Sequence, residues 1–215
     1  MASSFFQFNN NTVYVYWAKF DKTVAVKPVQ PAIRNEAIER CTDTLTRQQR
    51  YCVWALLDYA LKQRCGKGVD AFDFDVATNG KWTSNAKARF SLSHSDEVVV
   101  VAISDQEVGV DIEAVSSFSG KFDDEAFVNR VLNNAEYQQF SLRPLAERQQ
   151  TLAILWTRKE SVFKLDGGSF FSPRSIDTTA RQADSRLLEV DGKSYALSVA
   201  TRNPITIEVN QVNLW

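Results

Sequence analysis

The chain holds a single histidine, His94, and only three cysteines, Cys41, Cys52 and Cys65, in 215 residues. One imidazole and no metal-type cysteine spacing leave no ligand set for a zinc centre. An odd cysteine count without a framework spacing points to free thiols in a reducing cytoplasm rather than to a disulfide scaffold. Excess charge of one sign is missing too: Lys and Arg number 25, Asp and Glu 26, for a net charge of −1. That balance argues against nucleic acid as the main partner, because phosphate-backbone binding draws on a basic excess. The longest apolar run, "VVVVAI" at 98–103, is far too short to cross a bilayer. The opening "MASSFFQFNN" has neither a basic region nor a sustained apolar segment, so no signal peptide is expected. There is no G-x-S-x-G elbow, no phosphate loop of the G-x-x-x-x-G-K-[ST] type and no G-x-G-x-x-G fingerprint, which weakens the hydrolase and nucleotide-fold classes that use them.

What is present is an ordinary globular composition, 44% hydrophobic and 24% charged, long enough to bury a real core. "TVYVYWAKF" alternates like a strand. A helix is expected from Thr46, where "TRQQ" has capping-box form, through "RYCVWALLDYALKQRC" to a stop at Gly66 and Gly68. Cys52 and Cys65 fall inside it, where a buried, inert role is expected. "VDAFDFDVAT" reads as a half-exposed strand, "NGKW" as a turn, and residues 89–113 as three strands joined by two turns. One or two short helices fit 121–140. A long helix fits "RPLAERQQTLAILWTRKESVFKLDGG", with Pro144 in its first turn and Gly167 past its end. "RLLEV", a turn at Asp191-Gly192, "SYALSVAT" and "ITIEV" close the chain as strands. Strands and helices in two comparable batches suggest an α+β protein of two similar lobes, with the boundary near residues 110 and 111. No repeat, low-complexity segment or linker divides them.

Three constellations carry chemistry. In "VGVDIEAV" alternation puts Asp111 and Glu113 on one strand face and Val110 and Ile112 on the other. The acids either form a solvated face or hold a cation, since magnesium is often bound by one or two carboxylates with phosphates and water. Gly109 would let a backbone or ligand come close. In "WTRKESVFK", Trp156, Glu160 and Lys164 fall four apart on one helix stripe, with Lys159 and Phe163 beside it. This is either a surface Glu–Lys pair with a core aromatic, or a third metal ligand with phosphate-neutralising lysines. His94, between Ser93 and Ser95, is either a turn residue or part of a compact set of phosphate donors.

In order, Gly80-Lys81, "FSLSHS", "VGVDIE" and "WTRKESVFK" resemble the 4′-phosphopantetheinyl transferase superfamily, specifically its long, two-lobed Sfp-type branch. That family's motifs run G-K-P, F-N-[LI]-S-H-S, G-[IV]-D-[IVL]-E and W-x-x-K-E-[SA]-x-x-K. The last two match position for position. The resemblance spans residues 80–164, while 1–45 and 170–215 match only in general character. Trp82 replaces the family proline, and Ser91 replaces the usual asparagine.

The resemblance implies two similar α+β lobes in pseudo-twofold arrangement with coenzyme A in the cleft between them. It implies transfer of the phosphopantetheine arm of CoA to a serine of an apo acyl, peptidyl or aryl carrier protein, with release of 3′,5′-ADP, in the manner of a holo-acyl-carrier-protein synthase. Asp111, Glu113 and Glu160 would hold Mg²⁺. Ser93 and His94 would contact CoA phosphates, Lys164 would neutralise the diphosphate, and Lys159 belongs to the same motif. Gly80 and Lys81 would line the nucleotide pocket, and Arg50 would lie near the 3′-phosphate. Glu136, with Glu160 and Lys164, would belong to the catalytic set, as general base. A cytoplasmic monomer acting without membrane or nucleic acid is expected. Two alternatives remain open: a protein that binds CoA or a carrier without chemistry, and a Mg²⁺-dependent phosphohydrolase of CoA. Phe118, Phe122 and Phe127 are candidates for carrier contact, with core packing the expected use of at least two.

Overall fold

A computed structural model describes residues 11–78 and 80–215; the reading of the N-terminal ten residues lies outside them. Strand β1 (Thr12–Lys19) is buried along nearly its whole length, and its alternation feeds two cores at once. Tyr14, Tyr16 and Ala18 enter one apolar cluster, and Val13, Val15 and Trp17 enter another. Helices α1 (Ala32–Glu39) and α2 (Thr44–Cys65) follow. The α2 cap is Asp43, whose side chain accepts the Thr46 N–H, so the helix begins before the expected start at Thr46. Its C-cap Gly66 has φ 70°, and α5 ends on Gly167 with φ 71°; both are left-handed positions that glycine takes without a Cβ clash. The segment expected as one strand from Val69 is instead a turn of 3₁₀ helix at Val69–Ala71 and a short β2 (Phe74–Val76), paired with β3 (Trp82–Ser84).

Strands β4 (Arg89–Ser95), β5 (Val98–Ser104) and β6 (Val108–Ala114) fall where the sequence places them. Two short helices, α3 (Glu125–Val131) and α4 (Asn134–Ser141), lead to the long α5 (Leu145–Asp166), then β7 (Ala183–Val190), β8 (Lys193–Thr201) and β9 (Thr206–Gln211). The result is a mixed α+β architecture of two larger sheets, ordered β4-β5-β1-β9 and β6-β8-β7, plus the β2-β3 pair. The 110/111 boundary falls inside β6, and β9 returns to pair in parallel with β1.

α2 covers one face of the four-stranded sheet through Trp54, Leu57 and Leu61. The other face packs on the three-stranded sheet, where Val110 and Ile112 meet Val98 and Val100. α5 lies against the outer face of that second sheet. Gly109 lets it come close, since a Cβ there would sit 1.9 Å from the Ser161 carbonyl oxygen and 2.6 Å from the Leu165 nitrogen. The glycine therefore admits a helix backbone, not a ligand. Phe118 is buried, while Phe122 and Phe127 pack half-buried against the cluster beneath α5.

Candidate functional site

Because Val110 and Ile112 occupy the inter-sheet core, Asp111 and Glu113 must point to the face that α5 covers. From α5, Glu160 and Lys164 point back, and all four line one cavity of about 560 Å³. Ser93 and His94 enter it from β4, and Arg34 and Arg50 from the two N-terminal helices. The acids of β6 and α5 thus form one end of the cavity and the N-terminal helices the other, where Arg34 and Arg50 stand with the Arg40–Glu36 ion pair.

At the acidic end, the Lys164 ammonium donates to Asp111 Oδ1 at 2.7 Å and to Ser93 Oγ at 3.0 Å. Asp111 is only 3% exposed, yet among the described residues its Oδ2 has no hydrogen-bond partner. Burial, and then the Asp111 charge, pushes the Glu113 carboxyl up to about 7, and the same two causes do so for Glu160. Three carboxylates facing one ammonium form a site short of positive charge. Among the described residues no three His, Cys, Asp or Glu side chains stand close enough together to form a ready-made metal centre, and Lys164 supplies the cation that Asp111 holds.

At the basic end, Arg34 is 6% exposed, its guanidinium 5.0 Å from the Trp54 ring centroid and 5.4 Å from that of Trp82. It donates to the Arg50 carbonyl at 2.6 Å, and its Nε has no partner among the described residues. Burial, then the neighbouring Arg50, lowers its pKa to about 10, so the buried group is still a cation. Arg50 donates to the Ala37 carbonyl at 2.8 Å. Burial, followed by Lys164, Arg34 and Arg50, pulls His94 down to about 4, so it presents a neutral imidazole with one N–H to give.

Other expected site residues lie elsewhere. Gly80 and Lys81 line a smaller pocket of about 180 Å³, which shares Trp82, Leu92 and Lys164 with the main cavity. Lys81 pairs with Glu107 at 2.8 Å. Glu136 and Lys159 do not reach the cavity. They form an ion pair of 2.6 Å in which neither side chain is more than 1% exposed. Lys159 also donates to the Pro173 and Ile176 carbonyls. Glu136 accepts from the Asn133 and Thr178 N–H groups and the Thr178 hydroxyl. Burial alone would raise the Glu136 carboxyl, but Lys159, Asn133 and Thr178 outweigh it and hold it below the usual range. Every lone pair is spoken for, so this carboxylate is an interior strut and not a base open to substrate. The local signal for that role is Asn133-x-x-Glu136, which forms a capping box.

Sequence reasoning passed over Arg34, which sits on an unrecognised helix, and the sheet-joining role of Ser91 and Ser95, whose hydroxyls accept the N–H groups of Val110 and Ala114.

Comparison with known proteins narrows the chemistry. The family model described as the 4′-phosphopantetheinyl transferase superfamily matches residues 107–207. The chain is similar to the 4′-phosphopantetheinyl transferase psf-1 of Bacillus pumilus, 28% identical over 203 residues, covering 85% of this chain and 83% of that protein. It is also similar to the 4′-phosphopantetheinyl transferase AcpT of Escherichia coli O157:H7, 27% identical over 192 residues, with 88% and 91% covered. Over a shorter stretch of 86 residues it is 37% identical to the 4′-phosphopantetheinyl transferase gsp of Aneurinibacillus migulanus, covering 39% of this chain and 33% of that protein.

Proposed function

We propose that this chain, which belongs to the 4′-phosphopantetheinyl transferase superfamily, moves the phosphopantetheine arm of coenzyme A onto a serine of an apo carrier protein and releases 3′,5′-ADP. The observation that carries the proposal is the charged lining of one cavity: Arg34 and Arg50, which have no carboxylate partner among the described residues, at one end, and Asp111, Glu113, Glu160 and Lys164 at the other. A nucleotide with a terminal phosphate and a diphosphate needs this pattern when a divalent cation sits on the diphosphate.

On this reading Arg34 and Arg50 take the phosphate remote from the reacting centre, and the His94 N–H donates to a phosphate oxygen. Lys164 exchanges its bond to Asp111 for the diphosphate and offsets charge as the leaving phosphate departs. The orphaned, buried Asp111 Oδ2 and the cation-poor carboxylates Glu113 and Glu160 fit Mg²⁺. When bound, the ion would neutralise diphosphate charge. The carrier serine oxygen attacks the β-phosphorus, the bond to the oxygen of 3′,5′-ADP breaks, and the serine proton passes to a cavity carboxylate, Glu160 being the candidate. Glu136 and Lys159 take no part in contact with substrate.

That the cavity draws Arg34, Arg50 and His94 from the first half of the chain and Glu113, Glu160 and Lys164 from the second supports two lobes, 1–110 and 111–215, with the site between them. The free thiols suit a reducing cytoplasm, and no helix among the described residues is long and apolar enough to cross a membrane. The test is a mass measurement. With CoA, Mg²⁺ and an apo carrier, the carrier should gain about 340 Da, the mass of the covalently added arm. No gain across a panel of apo carriers that a known transferase loads would end the proposal. Release of pantetheine phosphate without a carrier would favour a hydrolase.

A further inference from the structure

The two larger sheets meet edge to edge as well as face to face. β6 is the outer strand of its sheet and β4 the outer strand of the other, so each would leave a row of unpaired backbone groups. Three serines fill the seam. Ser91, Ser93 and Ser95 accept the N–H groups of Val110, Ile112 and Ala114 at 3.0, 3.4 and 3.0 Å. The rungs repeat every second residue on both strands, as the pleat requires.

A serine hydroxyl that accepts on one side still has a single proton to give. At two of the three rungs that proton has a carboxylate waiting. Ser93 donates to Asp111 Oδ1 at 2.7 Å and Ser95 to Glu113 Oε2 at 2.9 Å. At the third rung the corresponding β6 position is Gly109, which offers none. The seam therefore does two separable things: all three rungs join the sheets, but only Ser93 and Ser95 also fix one oxygen of an acid and so aim the other. At Asp111 the oxygen left over is the buried, unpartnered Oδ2.

We infer that Ser93 and Ser95 are positioning residues that orient Asp111 and Glu113 toward a divalent cation, in place of the phosphate contact expected of Ser93. The inference rests on the magnesium reading above. Ser93 has no spare proton for a phosphate, because its hydroxyl serves Asp111 and also accepts from Lys164 and Ile112. Outer partners of this kind typically carry 10–100-fold in metal affinity or activity.

The test compares Ser95→Ala with Ser91→Ala. Each removes one rung and leaves one β6 N–H unpaired, so the two should lose similar stability in urea. Binding of Mn²⁺, read from the electron paramagnetic resonance of the free ion with and without saturating CoA, should separate them. Ser95→Ala should bind about tenfold more weakly than wild type, the low end of the range for such partners, and Ser91→Ala within about twofold. Ser95→Thr, which keeps the hydroxyl, should recover most of the affinity. The metal concentration for half-maximal transfer should rise in Ser95→Ala, with kcat restored at saturating metal. If Ser95→Ala does not fold, Ser95→Cys, a weak donor of similar size, takes its place under the same criterion. Mn²⁺ affinity unchanged in Ser95→Ala, or equally weakened in Ser91→Ala, overturns the inference while leaving the magnesium reading intact. A wild-type protein that binds no Mn²⁺ overturns both.

Discussion

Replacing Gly109 by alanine perturbs a place where the backbones of β6 and α5 meet closely. The new methyl would lie 1.9 Å from the Ser161 carbonyl oxygen and 2.6 Å from the Leu165 nitrogen. Both are main-chain atoms inside a helix, so neither can rotate away. Restoring even the tightest tolerated separation of 3.0 Å requires the elements to part by about 1.1 Å, the difference from 1.9 Å. Overpacking of this kind costs about 1–3 kcal/mol, and the upper end is expected against backbone. In a chain of this size that lowers Tm by about 6–12 °C, at roughly 2–4 °C per kcal/mol.

The functional effect should exceed the loss of stability, because the clashing atoms are sequence neighbours of the site. Ser161 follows Glu160, Leu165 follows Lys164, and Asp111 lies two residues beyond Gly109 on the same face. A misplacement of about 1 Å can cost on the order of 100-fold in rate. The assay is the initial rate of carrier mass gain for Gly109→Ala well below its Tm, beside a urea titration. Gly192→Ala is the control. Nothing lies within 4 Å of its Cβ, but its φ is +74°, so it should lose about 1–2 kcal/mol to backbone strain and keep wild-type transfer. A Gly109→Ala protein within about 0.5 kcal/mol of wild type, transferring within threefold, would refute the view that this contact sets the site.

Glu136→Gln should cost about 3–5 kcal/mol, because it leaves the Lys159 ammonium buried and unpaired. Adding Lys159→Met should recover part of that loss in denaturation curves, whereas a catalytic base would show lost transfer at native stability. Arg34→Ala should raise the KM for CoA about tenfold or more, given roughly 1.5–3 kcal/mol for hydrogen bonds to charged groups, and should shift tryptophan emission because Trp54 and Trp82 lose the stacked cation. An unchanged KM would remove Arg34 from the ligand site. Glu160, pushed up to about 7, stabilises the metal-free fold below the ordinary carboxylate pKa of about 4.3 and loses that contribution as pH rises through 7. Metal-free Glu160→Gln should therefore be more stable than wild type at pH 8 by about 3 kcal/mol, at 1.36 kcal/mol per pK unit, with the gap closing toward pH 4. Coincident curves at pH 8 would contradict this.

How far the sequence could be read depends on where each signal resides. The acid pair and the α5 stripe were legible because strand and helix periods fix which side chains share a face. α5 itself was bounded by Pro144 and Gly167. α1 was missed because "AIRNEAIE" has no apolar stripe: of its eight residues only Arg34 and Ile38 are buried. The helix is held by contacts distant in sequence, among them Arg34 beneath two tryptophans and the Arg50 bond to Ala37. The cavity's basic end was therefore only half visible, as Arg50. The serines could be placed on one strand face, but that they meet β6 depends on how two sheets dock, which no local pattern encodes. The 3₁₀ turn at Val69–Ala71 replaced a strand in part because the Val69 N–H bonds to Asp58 on α2.

The matched motifs contain residues of two physical kinds. Successive residues on a helix point about 100° apart, so Glu160 can face the cavity while Lys159 is locked to Glu136 and the 173–178 segment. The buried pair resists rotation of α5 about its axis, since turning Glu160 out of the cavity would drag an ammonium from its three oxygen partners. Gly109 sets the distance of the same helix from β6, and the serine rungs set the position of β6 against β4. Three attachments thus constrain roll, separation and lateral register of the elements that carry the acids. None of them need touch a substrate. A site that must hold three repelling carboxylates within one cavity cannot rely on the carboxylates to organise themselves, so residues such as Gly109, Lys159 and Ser95 are as much a part of its construction as Asp111 and Glu160.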